Sequence, residues 1–411
     1  MTDAGPGSTV GAALPDVVAG LPTIPDALVE QLRRPLIDQH VHGCFTGPLV
    51  ALDEGEGAIR HGRAGFEESL NEGSTDPIPA FMTQFDSQLG FAIRRWCAPL
   101  LELPAHAAAD DYWLRRAALG DETVARAFLP AAGVTRWLVD TGYAAAQLTP
   151  PATLARWSGG AAVEVLRLES VAESLVAEGV SPRLYANAFR ARLADPGPSV
   201  VAVKSIAAYR CGFDIDWTAP SDGDVARAVA AWSAQTAGAS PRLTSPLLAA
   251  FGVHAAAQAG LPIQLHVGLG DRDLDLHRVD PLLLLPLLRQ PTIGRVPVML
   301  LHCYPFQRQA GYLAQAFGNV YCDVGLAINH LGVRSVELIA ESLELAPFAK
   351  QLYSSDAFGP PELHLLGSVL WRRGMAQVLG RWVGEGDWSV ADAVRVLRMI
   401  GSENAERVYG H

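Results

Sequence analysis

Five cysteines in 411 residues (Cys44, Cys97, Cys211, Cys303 and Cys322) are odd in number, scattered and without a CxxC pair. That excludes a secreted disulfide framework and points to a reducing compartment. Long apolar runs are missing too: the longest aliphatic stretch, Leu282 to Leu288, is broken by Pro286. It falls far short of the roughly 20 residues a membrane span needs. The first twenty residues lack the basic start of a signal peptide, so a cytoplasmic location is expected. Positive charge is also scarce, with Lys+Arg 32 against Asp+Glu 43 and a net charge of −11. Nucleic acid and anionic membrane, which need clustered cations, are therefore not expected partners; a small-molecule substrate is. Lysine occurs only twice, at Lys204 and Lys350. Arginine stays protonated, whereas lysine can become neutral and react with carbon dioxide, so a retained lysine is a candidate for chemistry that arginine cannot do.

The chain is 49% hydrophobic, which excludes disorder and allows a large core. Residues 1–30, rich in Gly, Pro and Ala, predict a loose arm. Beyond them, short aliphatic or β-branched runs recur at 35–42, 135–142, 161–169, 199–206, 261–268, 296–303, 319–326 and 350–357. Such runs read as strands buried on both faces. Helical spacing fills the gaps at 171–179, 222–236, 246–259 and 333–345. Eight strands alternating with helices predict an α/β fold, a (β/α)8 TIM-like barrel. Residues 31–411 are expected to form this single domain. The segment 45–133 is too long for a crossover and predicts a helical insertion over the barrel mouth. Phe81, Phe85, Phe91, Trp96, Trp113 and Leu114 are its expected apolar anchors. Helices at 361–379, 390–400 and 402–409 close the chain.

The first strand ends Asp38-Gln39-His40-Val41-His42. Alternation puts His40 and His42 on one side, toward the barrel interior at its C-terminal rim, with Asp38 placed to orient them. Two neutral imidazoles so spaced can chelate a divalent cation, although His-x-His alone is a modest signal. The other candidates strengthen it. His266 ends the fifth strand, His302 the sixth and Asp356 the eighth, and Lys204 sits in the fourth. All lie at the C-terminal ends of strands, where barrel active sites are built. Tyr209, Arg210, Asp271, Arg272 and His277 lie just beyond strands four and five and are candidate substrate contacts. Arg210 is either a carboxylate clamp, since its planar fork binds one bidentately, or a surface-loop arginine in an Arg-rich chain. Arg167 and Glu169 either reach the pocket or form a core ion pair. Cys303 is expected to face away from His302.

This arrangement resembles the metal-dependent amidohydrolase superfamily. Val203–Arg210, Gln264–Asp271, Leu301–Phe306, Ser354-Ser355-Asp356 and Pro361-Glu362-Leu363 resemble the FluG/nodulin-type amidohydrolase-2 branch, over roughly residues 30–411. The resemblance implies His40, His42 and His266 as metal ligands and Asp356 as ligand or base. It implies His302 as a second-metal ligand or hydrogen-bond donor, and Lys204 as a carboxylated bridge between two metals, with a carboxylate-binding or ion-paired lysine as the other reading. Zinc is the first expectation, as one or two ions, with manganese or iron also suited. In fungi and plants such a domain is similar to the part fused ahead of a glutamine-synthetase-like domain; here any such partner enzyme is expected as a separate chain. A homo-oligomer is left open.

The function this implies is metal-dependent hydrolysis of an amide bond in a small carboxylate-bearing substrate, with a γ-glutamyl amide suggested by the relatives. Asp356 would take the proton of the activated water, and the metal or His302 would stabilise the oxyanion. A mononuclear non-oxidative decarboxylase is the rival enzyme. A catalytically idle signalling domain is the third reading and would predict decay of the ligand set, which is intact here.

Overall fold

The computed structural model describes residues 13–46, 62–74, 76–236 and 239–410. Seven parallel strands follow in chain order: β1 (Leu36–Val41), β2 (Val134–Asp140), β3 (Ala161–Arg167), β4 (Val200–Ser205), β5 (Ile263–Val267), β6 (Val298–His302) and β7 (Val320–Cys322). Each pairs with the next, so the sheet curls in sequence order. The eighth expected strand is not one. Residues 351–357 nevertheless bond to both edges: Leu352 N donates to Cys322 O of β7, Gln39 N of β1 to Tyr353 O, and Asp356 N to His40 O. The fold is TIM-like.

Long helices on the outside shield the sheet, as parallel strands require. Leu168–Ala177, Pro182–Ala194, Asp222–Gln235 and Pro246–Gln258 cover one side. Ser221 and Ser245 cap the last two by accepting from Asp224 N and Leu248 N, which satisfies donors the first turn leaves unpaired. Inside the curl, Ile37, Leu138, Val165, Ala202, Met299 and Leu352 form a separate cluster. Ala405 and Tyr409 of the last helix, Asn404–Tyr409, join it, so the C-terminal helix plugs the inner face.

The described part of the expected loose arm, 13–30, is docked. Val17 and Leu28 are buried, and a helix runs Asp26–Leu32. Residues 1–12 lie outside the described residues. Between β1 and β2 the described chain is helical, including Gly62–Glu68, Ala109–Leu119 and Asp121–Ala131. Phe85 and Trp96 are buried there, but Phe81, Phe91 and Leu114 are exposed and anchor nothing.

What fixes these helices to the barrel is a buried charge cluster. Glu362, just after the 351–357 segment, opens the helix Pro361–Gly384. It accepts from Tyr112 Oη at 2.9 Å and from Arg116 Nε at 2.6 Å, and Arg116 Nη1 also reaches Asp121 at 2.8 Å. Glu362 and Arg116 are essentially inaccessible to water. Removing one partner of such a pair strands a buried charge, at about 3–5 kcal/mol. Glu362→Gln is therefore expected to lower stability by about that much, read as a fall in the urea midpoint at unchanged slope. A midpoint unchanged from wild type would show that the cluster does not tie the two parts together.

Candidate metal centre

The C-terminal ends of β1, β5 and β6 and the 351–357 segment bring four of the expected residues around one carboxylate. Asp356 Oδ1 lies 3.1 Å from His40 Nε2 and 3.6 Å from His42 Nε2, while Oδ2 lies 3.4 Å from His302 Nε2. The His266 and His302 rings are 4.6 Å apart between centroids. His40, His302 and Asp356 form one group able to hold a cation, and His40, His42 and Asp140 a second. All are buried.

Hydrogen bonds on the far side of the rings set their direction. His40 Nδ1 meets Gln264 Oε1 at 2.8 Å and His42 Nδ1 meets the Asp140 carbonyl at 3.0 Å. Both acceptors require the proton on Nδ1, so each Nε2 lone pair faces the centre, the arrangement metal-bound imidazoles need. Burial lowers His42 and His266 to about 3 and His302 well below its ordinary value, so these rings are neutral. For Asp356 burial pulls upward, but His302, His40 and Lys204 hold the carboxyl well below the usual range. His266 Nε2 and Asp356 Oδ1 are buried with no hydrogen-bond partner. Orphaned acceptors converging on one point, with neutral rings and an ionised carboxylate, fit a divalent cation.

Lys204 does reach this centre. Its Nζ lies 2.7 Å from His40 Nε2 and 3.5 Å from Asp140 Oδ2. Asp140 was not singled out by the sequence; its only signal is its place at the end of β2. Arg167 holds it at 2.6 Å, so Arg167 forms the core ion pair, while Glu169 accepts from Ser205 Oγ and Ile206 N. Asp38 does not orient the histidine rings. β1 shifts register between Asp38 and Val41, and Asp38 accepts from Ser355 N and Oγ beside Asp356. Cys303 faces away from His302, as expected, in the outer core. All five cysteines are free and buried.

The substrate candidates divide. The Tyr209 ring lies 4.6 Å from that of His266, tilted 50° to it, and Gly270 lies so close to its hydroxyl that a Cβ would be 2.1 Å away. Asp271 is an electrostatic neighbour of Tyr209, and so is Glu72 from the β1–β2 segment, which also faces Asp356. Glu72 was missed. Burial raises its carboxyl well above the ordinary range. Arg210 is 10% exposed and sits 3.5 Å from Glu173, with Nε and Nη1 unpartnered. Arg272 is half-exposed and pairs with Asp76, and His277 is on the surface beside Asp275, outside the site.

A family model described as amidohydrolase matches residues 212–411, which include His266, His302 and Asp356. Protein fluG of Emericella nidulans is 30% identical over 288 residues, which are 62% of this chain and 33% of that protein. The chain is FluG-like over the stretch it shares with that protein, and its residues 212–411 match the amidohydrolase family. It spans about a third of the length of that relative. In its fold the chain is similar to a Lactobacillus casei protein described as a metal-dependent hydrolase, with TM-score 0.79 and 24% identity over 94% of this chain and 98% of that one. It is similar also to a Bacillus halodurans uronate isomerase, with TM-score 0.58 and 15% identity over 94% and 96% of the chains. Among the described residues no helix is long and apolar enough to cross a membrane.

Neutral buried histidines have a measurable consequence. In the unfolded chain each titrates near 6.5, whereas His42 and His266 in the folded protein stay neutral down to about 3. Below pH 6.5 the unfolded state binds more protons, so stability falls as pH falls, by about 2 kcal/mol per histidine at pH 5. The urea midpoint of the metal-free protein is expected to drop between pH 7 and pH 5, and His266→Gln to remove part of that slope. A flat profile would contradict neutral rings.

Proposed function

We propose that this protein is a metal-dependent hydrolase that cleaves the amide bond of a small carboxylate-bearing substrate, a γ-glutamyl amide. The observation carrying it is the gathering of the His40, His42 and His302 Nε2 atoms around an ionised, buried Asp356, with the unbonded Nε2 of His266 beside them. His40, His42, His266 and Asp356 would hold the cation, and His302 stands beside them. A bound divalent ion supplies a water acidified toward about pKa 7 and a Lewis acid for the carbonyl. The Asp356 carboxylate would also take the proton of the attacking water and return it to the departing amine. His302, neutral and beside Asp356 Oδ2, donates toward the developing oxyanion. Arg210, with two unbonded nitrogens, supports recognition of a carboxylate, and Asp271 suits an ammonium group on the same substrate.

We read Lys204 as an unmodified ammonium and the centre as holding one ion. Asp140 and Asp356 are balanced by Lys204 and Arg167. Two divalent ions would add four positive charges, of which a carbamate at Lys204 would offset two, whereas a single ion adds two with no modification of the lysine. A single cation at His40 needs only that Lys204 exchange its bond to Nε2 for Asp140. Elemental analysis is expected to give about one ion per chain, with intact mass showing no carboxylated lysine. Two ions with a carbamate would overturn this reading.

With metal bound, γ-glutamyl amides are expected to release amine. Asp356→Asn is expected to lower kcat by about 10²–10⁴, the range for loss of a positioned acid–base group. Release of carbon dioxide instead of amine, from a panel of amides and aromatic or aliphatic acids, would favour the decarboxylase reading. That reading is supported by the same single-ion site.

A further inference from the structure

The layer beneath the centre is polar where a barrel interior is ordinarily aliphatic, and its polar groups converge on the C-terminal helix. Gln264 lies two residues before His266 on β5, so both face inward. Its Nε2 donates to the Gln39 carbonyl at 2.7 Å and to Tyr409 Oη at 2.9 Å. With both amide protons used, Oε1 is the atom turned to His40 Nδ1, at 2.8 Å. A flipped amide would set an N–H against the Nδ1 proton and release the lone pair orientation that a ligand requires. Tyr409 Oη in turn donates to Gln39 Oε1, and Gln39 Nε2 donates to Asp323. Asp323 Oδ1 accepts from His302 N at 2.8 Å. One hydroxyl, two residues from the C-terminus, therefore joins the supports of His40 and His302. The Tyr409 ring is buried among the inner cluster, so the helix Asn404–Tyr409 places this hydroxyl by packing.

We propose that Tyr409 is a positioning residue for the metal centre: its hydroxyl locks the Gln264 amide so that His40 presents Nε2 to the cation, and steadies Asp323 behind His302. The C-terminal helix is thus part of the ligand support as well as a plug. This rests on the reading of the site as a metal centre.

The test compares Co(II) affinity, by chelator competition, and the visible spectrum of the Co(II) form across full-length variants. Tyr409→Phe keeps the ring and removes the hydroxyl. It is expected to weaken Co(II) binding by about 10–100-fold, the range for losing an outer hydrogen-bond partner, and to alter the Co(II) bands. Val408→Ala, which trims packing in the same helix, is expected to bind Co(II) as wild type does. Gln264→Met alone is expected to weaken binding comparably, and in that background Tyr409→Phe is expected to lose most of its effect. Wild-type affinity and spectrum in Tyr409→Phe would overturn the proposal. So would an equal loss in Val408→Ala, or an undiminished Tyr409→Phe effect without Gln264. Should Tyr409→Phe not fold, wild-type affinity in Gln264→Met would overturn it. If wild type binds no Co(II), Zn(II) or Mn(II), the metal-centre reading fails and the positioning role falls with it; binding in wild type that Tyr409→Phe leaves intact defeats the positioning role alone.

Discussion

A buried carboxylate, Asp356, is the constraint around which the mouth of the barrel is organised. An ionised group out of water must be met by oriented dipoles or charges, or it takes up a proton. Here it is met by three imidazoles and by Lys204. Those imidazoles are themselves buried, and burial keeps His42 and His302 uncharged, so the rings answer Asp356 with their edges and leave lone pairs facing the same space. Asp140 takes the balancing role one step out, shared by Arg167 and Lys204. The inner surface is consequently near neutral yet strongly directional, a condition under which a cation binds by geometry more than by bulk attraction.

The segment that carries Asp356 also shows how far sequence patterns reach. Strands buried on both faces leave a clear trace, and β1 to β7 lie where aliphatic runs between turn residues place them. Residues 351–357 carry the same kind of trace and the same bonds to both neighbours, but the turn at Asp356, with φ of +47°, breaks the ladder. The ligand candidates were legible because barrel chemistry sits at strand ends, a rule about position. Asp140 obeys that rule and was still missed, since an aspartate before a Thr-Gly turn reads equally as a cap. Glu72 had no such cue: it approaches from a different segment, and only the fold brings it beside Asp356. The polar layer of Gln39, Gln264 and Tyr409 depends on three distant stretches meeting, which no local period records. His277 and Arg272 fail for the opposite reason, since closeness in sequence to β5 does not ensure closeness to the centre.

The β1–β2 segment shows a related limit. Apolar spacing marks a helix face but not what the face meets. Phe85 and Trp96 found the core, and Phe81, Phe91 and Leu114 did not. The decisive contact is polar: Glu362 receiving Arg116 and Tyr112. That cluster adjoins the end of the 351–357 segment, so the docking of these helices and the placement of Asp356 share a few residues of backbone.

Three residues without a glycine's freedom, His302, Cys303 and Asp356, adopt φ of +69°, +56° and +47° at this rim. Such conformations cost on the order of 1–3 kcal/mol each and persist only where surroundings over-determine them. The strain has a clear effect on direction. Met299 and Leu301 of β6 point inward, so simple alternation would send His302 outward with Leu300, whereas the left-handed turn brings its ring back to Asp356. What holds the turn is the layer below: Asp323 takes the His302 amide and the Gly325 amide, and Asp38 takes Ser355 next to Asp356. The ligand directions are therefore set by buried hydrogen bonds one layer deeper than the ligands. Stability and metal geometry in this protein draw on the same bonds, and a change in that layer acts on both.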